Sequence, residues 1–468
     1  MRIIAAYLLL LGCSMPAATS LGQQEKEQKN SQNDIQKSSQ RKKLSELIRY
    51  GLEHSPRLKK IRDEKKINDL KLSSTKYTYF PKLTSAASIG AGETNPQSSA
   101  SGLESGDRSN IQSQFELKLS QPIYDNGISS INKSIAEYQS EILQLRTLKE
   151  RDEYILEVAK QYIAWSLTES LHAINLDLQK IMDKQLQSAK QTYKQGLSTK
   201  SDFLRIETES QRYALQVEES LAAKEESQAR LLTILGANSV ADVGSSIEPG
   251  QIPELGMNLL KNNDQKSMDA LVESMVANSS LEKEYKLNDL ILEKNTERSR
   301  KKLYPEFTAD AATGYSMREF VGKSSSKYYQ NDSTYWNVAL SLNYTLWDWG
   351  QIRRDVEVSA TERSLATTKA ELERTEYRQK IKSLIRQMVQ DQKSLKLSRE
   401  VLRMEEESFA VISEDFRNGR VSYTDLSNGL KSLLSAKIQY KTSDLNHIGR
   451  QFEIEYYKGS LYEVAMAH

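Results

Sequence analysis

Residues 336–351 read WNVALSLNYTLWDWGQ. Apolar side chains occupy every second position, Trp336, Val338, Leu340, Leu342, Tyr344 and Leu346, with Asn337, Ala339, Ser341, Asn343 and Thr345 between them. A period of two marks a strand with one oily face and one wet face. Its length of about eleven residues is what a tilted strand needs to cross the hydrocarbon layer of a bilayer. Asp348-Trp349-Gly350 then ends the alternation, and a long charged stretch with helical patterning begins. A membrane-crossing strand that runs straight into a very long helix is the feature the fold has to accommodate.

The whole chain is consistent with that. It has 468 residues, 38% hydrophobic and 27% charged, which is little apolar material for one compact globule. After the first dozen residues no window approaches eighteen uninterrupted apolar positions, so further membrane contact has to come from strands. The 65 basic and 63 acidic residues are spread along the chain with a net charge of +2, which leaves no basic patch for nucleic acid.

The features around residue 336 recur earlier, at an offset of about 223 residues. Ser55-Pro56-Arg57-Leu58 corresponds to Asn278-Ser279-Ser280-Leu281, and Tyr79-Phe80-Pro81-Lys82-Leu83 to Leu303-Tyr304-Pro305-Glu306-Phe307. Pro122-Ile123-Tyr124-Asp125-Asn126-Gly127 corresponds to Thr345-Leu346-Trp347-Asp348-Trp349-Gly350. Tyr193-x-x-Gly196-x5-Asp202 corresponds to Phe416-x-x-Gly419-x5-Asp425. Four landmarks in one register indicate a tandem duplication, with a first repeat over 44–240, a linker over 241–266, a second repeat over 267–461 and a tail over 462–468.

Each repeat reads in the same order. An amphipathic helix, about 44–77 and 268–302, ends near a proline that cannot continue it. A strand comes next, with Leu83, Ser85, Ala87, Ile89 and Ala91 on one face in the first repeat and Phe307, Ala309, Ala311, Thr313 and Tyr315 in the second. Polar loops over 93–110 and 318–334 turn the chain. The returning strand of the first repeat sets Phe115, Leu117 and Leu119 against Glu116, Lys118 and Ser120, a face that requires water. Beyond Gly127 the period becomes heptad-like, through Ile128, Ile131, Ile135, Tyr138, Ile142 and Leu145 and on to Ile174, Leu178 and Ile181. A helix from Gly127 to Gly196 would be roughly 100 Å long at about 1.5 Å per residue, and 351–417 repeats it. Gly196 and Gly419 stand where a left-handed cap ends such a rod. Return helices are expected over about 201–235 and 424–457.

At the N-terminus, Arg2 and the apolar run from Ile3 to Leu11 read as a secretory signal within 1–21. Leu10-Leu11-Gly12-Cys13 resembles a bacterial lipobox, which makes Cys13 a lipidation candidate. The alternative is ordinary cleavage near Ala18 or Ser20. Cys13 is the only cysteine, so no intrachain disulfide forms. Residues 22–43, rich in Gln, Lys, Ser and Asn, read as a flexible tether.

Four strands cannot close a barrel, and open sheet edges are not tolerated in lipid. Several copies must pool their strands, two giving eight and three giving twelve. The repeated order of Pro-x-Leu strand, Gln-Pro-Ile-Tyr-Asp-x-Gly exit, long helix, Tyr-x-x-Gly-x5-Asp turn and return helix resembles the TolC family of outer-membrane efflux factors over about residues 44–461. That resemblance implies a mainly helical protein with membrane β-structure: a homotrimer with a twelve-stranded barrel in the outer membrane, continued by a coiled-coil periplasmic tunnel. It implies a passive exit duct that works with a periplasmic adaptor and an inner-membrane pump. Lipidated members are common, which strengthens the lipobox reading.

Aligned with the family's gate motif, Asp425 falls in an acidic ring at the periplasmic tip and Asn428 lies one helical turn further on. Asn428 departs from members with a second acid there, so a second ring would be polar and uncharged. Three converging carboxylates would attract cations and obstruct passage until the helices splay. The plainer alternative is that Asp202 and Asp425 are first-turn acids favoured by the helix dipole, and for Asp202 it is preferred. Gly196, Leu197, Gly419, Arg420 and Val421 are the tip positions expected to meet an adaptor. Tyr328, Tyr329, Tyr335 and Trp336 read as interface anchors, and Trp347 and Trp349 as the opposite girdle or the strand-to-helix corner. His54, His172, His447 and His468 share no metal-ligand spacing, and no phosphate loop or nucleophile elbow occurs, so neither an enzyme nor a cofactor or metal site is expected. The competing reading is a secreted or periplasmic coiled-coil scaffold or adhesin. It gives no reason for short alternating segments to repeat at one offset. Because a conduit leaves selection to its pump, the cargo is not legible here.

Overall fold

The computed structural model describes residues 44–94, 108–196, 198–239, 265–322, 329–418 and 420–467. The first repeat contains α1 (Leu44–His54), α2 (Pro56–Thr75), β1 (Lys82–Thr94), β2 (Arg108–Tyr124), α3 (Ile128–Lys194) and α4 (Lys200–Leu235). The second contains α5 (Gln265–Asn278), α6 (Ser280–Lys301), β3 (Glu306–Gly322), β4 (Tyr329–Asn343), α7 (Gln351–Arg417), α8 (Tyr423–Lys458) and α9 (Leu461–Ala467). The two long rods α3 and α7 each have 67 residues and the return helices α4 and α8 each have 36. The signal, the lipobox with Cys13 and the tether lie outside the described residues, as do Leu197, Gly419 and most of the linker. No described helix is long and apolar enough to cross a membrane.

The single helix expected at the start of each repeat is two helices. Ser55 adopts an extended backbone with Pro56 at the first helical position, because the proline bars the residue before it from helical geometry. In the second repeat Ser279 makes the same break without a proline. Its hydroxyl accepts from the Glu282 amide at 3.2 Å and donates to the Val276 carbonyl at 2.7 Å, so it caps α6 and closes α5. Residues 462–467, read as part of a tail, form α9 together with Leu461, which is fully buried.

The strands make one antiparallel sheet in the order β1-β2-β3-β4, so the two repeats meet at β2–β3 while β1 and β4 are edges. β4 begins before the expected 336 and stops at Asn343, opposite Glu306. The next partner would be Pro305, which has no N–H to give. The strands also run into the expected loops, leaving 95–107 and 323–328 outside the described residues.

Midway along the rods, α1 and α9 pack against α3, α4 and α8 around Tyr154, Tyr162, Trp165, Leu231, Phe452 and Leu461, all 1% exposed or less. Each such side chain contributes about 1.5–3 kcal/mol by leaving water. Nearer the sheet, the predicted seam residues Ile131, Ile135 and Ile142 are buried against Leu287 and Ile291 of α6. α7 is held to α5 by a buried apolar cluster of Val272, Met275 and Val276 with Ile381, Ile385 and Met388, and to α5 and α6 by charge: Arg378 meets Glu273, Arg374 meets Glu282 and Arg363 meets Asp289, each at 2.7 Å.

Candidate functional site

Register decides which side chains share a face of the sheet. Leu117 lies opposite Ser85 and Thr313, Phe115 opposite Ala87 and Tyr315, and Leu119 opposite Leu83 and Ala311. Val338 and Leu340 continue the same rows opposite Ala311 and Ala309. The apolar positions expected on four separate strands therefore form one continuous face, and it is exposed in the single chain. This is the surface a lipid-facing wall requires.

The opposite face is charged and internally bonded. Lys118 reaches Asp310 across the β2–β3 boundary at 3.3 Å. Tyr335 donates to Glu116 at 2.6 Å and accepts from the Gln114 side-chain amide at 3.1 Å, so it links β4 to β2 over the top of β3. Ser316 and Ser333 hydroxyls meet at 2.8 Å. Glu116 and Lys118 were legible from alternation, Asp310 and Gln114 were not singled out, and Tyr335 was read as an interface anchor. Tyr335 is not an interface anchor: it precedes Trp336 by one residue and so points to the other face, which strict alternation already implied. Tyr328, by contrast, lies outside the described residues.

The strand-to-helix corner is built twice by the same device. Asn126 and Gly127 have φ of 57° and 80°, and Trp349 and Gly350 have 56° and 76°. Two successive left-handed residues turn the chain from strand into rod, and the aspartate just before them caps the rod. Asp125 accepts from the Gly127 and Ser129 amides at 3.1 and 2.7 Å, and Asp348 from the Gly350 and Ile352 amides at 2.9 and 2.7 Å. The Ile352 amide does most to hold the Asp348 carboxyl below the usual carboxylate range. A bulky residue with positive φ is unusual, and Trp349 is 80% exposed, with Trp347 edge-on at 5.7 Å.

At the far end of the rods, Gly196 has a φ of 72° just past α3. Thr199 caps α4 through the Asp202 amide at 3.1 Å and donates to its carboxylate at 2.6 Å. The second turn closes a reciprocal box. The Asp425 amide donates to Ser422 Oγ at 3.3 Å, and the Asp425 carboxylate accepts from the Ser422 amide at 3.1 Å and hydroxyl at 2.6 Å. That hydroxyl, then the amide, lowers the Asp425 pKa. Asp425 and Asn428 are both exposed and one helical turn apart, while Leu426, Ser427, Gly429 and Leu430 between and beyond them are buried. Both predicted gate positions thus share an exposed face of α8. Arg420 is exposed and turned back on Asp415 at 3.3 Å, and Val421 is half-buried. Tyr423 was not anticipated. Its hydroxyl is buried with no hydrogen-bond partner among the described residues, and burial pushes its pKa to about 12.

His54, His172 and His447 bond to Tyr50, Ser220 and Gln451 respectively. Among the described residues no group of three or more metal-ligating side chains comes together.

The outer membrane efflux protein family matches residues 47–237 and 292–446, and the chain belongs to that family. Solved structures of the same fold include a membrane protein from Pseudomonas aeruginosa, with 14% identity, a TM-score of 0.71 and coverage of 89% of this chain and 90% of that one. The outer membrane protein VceC from Vibrio cholerae has 14% identity and a TM-score of 0.69 over 89% and 96% of the two chains. The Campylobacter jejuni CmeC outer membrane channel has 13% identity and a TM-score of 0.72 over 89% and 86%. No curated protein sequence matches. The protein is an outer-membrane efflux channel with a helical periplasmic extension, and nothing in family or fold favours a scaffold or adhesin.

Proposed function

We propose that the working channel is a homotrimer whose three sheets close a twelve-stranded barrel and whose long helices form a twelve-helix periplasmic tunnel. The observation that carries this is a sheet with one exposed apolar face, one charged face and two open edges. Such a sheet is stable in a bilayer only when its edges are closed and its charged face lines water. Four strands are too few, and among the multiples the family resemblance selects three. The mass of the detergent-extracted particle, corrected for bound detergent, tests it. Three chain masses support the reading, and a monomer that stays soluble without detergent overturns it.

Within that assembly, Asp425 from each copy forms a charged constriction at the periplasmic tip, with Asn428 as a neutral polar ring behind it. The cap geometry supports this, because it keeps the carboxylate ionised while leaving it exposed. The turns at Gly196, Leu197, Gly419, Arg420 and Val421 dock a periplasmic adaptor, which couples the duct to an inner-membrane pump. Cys13 carries the lipid that tethers the mature N-terminus to the membrane, over the segment 22–43. The duct is passive and its pump selects the cargo.

A further inference from the structure

The apolar face of the sheet ends at the strand-to-helix corners, and the side chains change character there. Tyr344 and Leu346 continue the outward row of β4 beyond Leu342, and both are exposed. In the segments that enter the strands or leave them, Tyr77, Phe80, Tyr304, Trp347 and Trp349 are each more than half exposed. Because the rods extend into the periplasm, this end of the sheet lies at the periplasmic leaflet of the outer membrane. Rings with an apolar body and a polar tip settle at headgroup depth.

Cations follow at once. Segments 71–82 and 298–305, which lead from α2 into β1 and from α6 into β3, contain three and four basic residues and no acidic one. Elsewhere on the rods arginines are matched: Arg57 with Glu150 and Glu157, Arg363 with Asp289 and Glu293, Arg403 with Glu400 and Glu407. Lys76, Arg300, Lys301, Lys302 and Arg353 form no ion pair among the described residues. The corner carboxylates cannot serve them, since Asp125 and Asp348 are committed to the amides of Ser129 and Ile352.

We infer that these corners form a cationic collar at which the channel binds anionic glycerophospholipids of the periplasmic leaflet. Their phosphates sit at Arg300, Lys301, Lys302 and Arg353, and their acyl chains run along the apolar face of the sheet. The inference rests on the proposed barrel and goes beyond it by naming a lipid and the residues that hold it. A guanidinium matches a phosphate bidentately, and an exposed indole N–H adds a donor at ester depth.

Helix dipoles alone do not explain the placement. They favour cations at the C-terminal ends of α2 and α6, and they oppose cations at the start of α7. Yet Arg353 and Arg354 stand in the first turn of that 67-residue helix, which holds no acid. Arg354 turns back to the Trp349 carbonyl at 3.0 Å, and Arg353 is left exposed. A phosphate in front of α7 removes the conflict, because both the dipole and the guanidinium then face an anion. The corresponding residues of α3, Ser130 and Ile131, carry no charge, so the cations belong to the second corner and are not a requirement of the turn.

Lipid counting on the detergent-extracted channel tests this, with phosphatidylglycerol, phosphatidylcholine and lipid A as probes and native mass spectrometry as the readout. Particle mass is measured first. The trimer should retain phosphatidylglycerol several-fold better than phosphatidylcholine at about 0.1 M salt. The ratio should fall toward one at about 1 M, where the screening length shrinks from about 10 to about 3 Å. Arg300→Gln, Lys301→Gln, Lys302→Gln and Arg353→Gln combined should abolish the preference. Lys184→Gln, Lys190→Gln, Lys194→Gln and Lys200→Gln combined, which remove as many exposed cations at the far end of the rods, should keep it. If the fourfold collar variant fails to assemble, its two halves, Lys301→Gln with Lys302→Gln and Arg300→Gln with Arg353→Gln, are each expected to lose part of it. A trimer without the preference, a preference that survives the collar substitutions, or an equal loss in the far-end variant overturns the inference and leaves the barrel standing. Lipid A displacing phosphatidylglycerol at equal concentration overturns it as well, by assigning the cations to a ligand of the opposite leaflet. A chain that forms no trimer removes the barrel and the collar together.

Discussion

Gly314 lies beneath the ring of Tyr335, its register partner on the next strand. A Cβ on Gly314 would stand 2.7 Å from two ring carbons and 2.7 Å from the Phe115 carbonyl oxygen. A glycine in mid-strand offers no side chain to pack, and here the tyrosine covers the gap and reaches beyond it to Glu116. Gly314→Ala should push the ring off Glu116, at an overpacking cost of about 1–3 kcal/mol. The temperature at which the oligomer loses its heat-sensitive gel migration should fall. An unaltered temperature would mean that the ring moves freely and the contact carries no strain.

Leu117 and Lys118 are adjacent, and the register assigns them to opposite faces. Leu117→Arg would place a charge in hydrocarbon, at a cost of about 2–4 kcal/mol near the midplane. Lys118→Arg would keep a cation in water near Asp310. The first variant should insert poorly into membranes and the second normally, scored as the membrane-inserted fraction. Equal insertion of both would invert the assignment of faces.

Periodicity and the internal offset carried most of the architecture, because the two faces of a strand and the seam of a rod are written in apolar spacing. The Asp-x-Gly corner was visible as a break in alternation. Its physics, two left-handed residues and a carboxylate on the helix amides, is invisible until the backbone is seen. Pro56 carries the signal for the break that the single-helix reading of 44–77 passed over. Ser279 makes the same break with hydrogen bonds that Ser residues offer in many other contexts. Tyr335 was legible in principle, since one step from Trp336 changes face, but an aromatic near a strand end suggested an anchor. Asp310 and Gln114 became significant only through register, which links residues about 190 and 220 positions apart in sequence to Lys118 and Tyr335. Gly419 and Leu197, named from the motif, lie outside the described residues.

Asp348→Ala would remove the acceptor from the Gly350 and Ile352 amides and leave both near the start of a 67-residue helix unsatisfied. The carboxyl is held below its ordinary range. Its contribution is therefore present above the pKa of the unfolded chain and is lost as pH falls through the lower folded value. Thermal unfolding at neutral pH should shift downward in the variant, as it does when helix caps are lost, and the shift should shrink in strong acid. A shift that grows on acidification would mean the carboxylate is destabilising at this corner.

Asp425 allows a test that separates charge from helix capping. In Asp425→Asn the side-chain oxygen still accepts from the Ser422 amide while the charge disappears. Ser422→Ala keeps the charge and removes the hydroxyl that closes the box. If three Asp425 carboxylates converge on the axis, Asp425→Asn should raise single-channel conductance or lower cation preference. Ser422→Ala should instead act mainly through the stability of the turn. The Ser422 hydroxyl and amide hold the Asp425 carboxyl of each chain below the ordinary aspartate range, whereas carboxylates converging on one axis raise one another. Cation preference should therefore be full at neutral pH and fall on acidification, as protons neutralise the ring. A preference that persists unchanged into strong acid would assign it to a different group. Unchanged conductance and selectivity in a trimeric Asp425→Asn channel would leave Asp425 as a helix cap only, the reading preferred for Asp202, whose carboxylate accepts from the Thr199 hydroxyl.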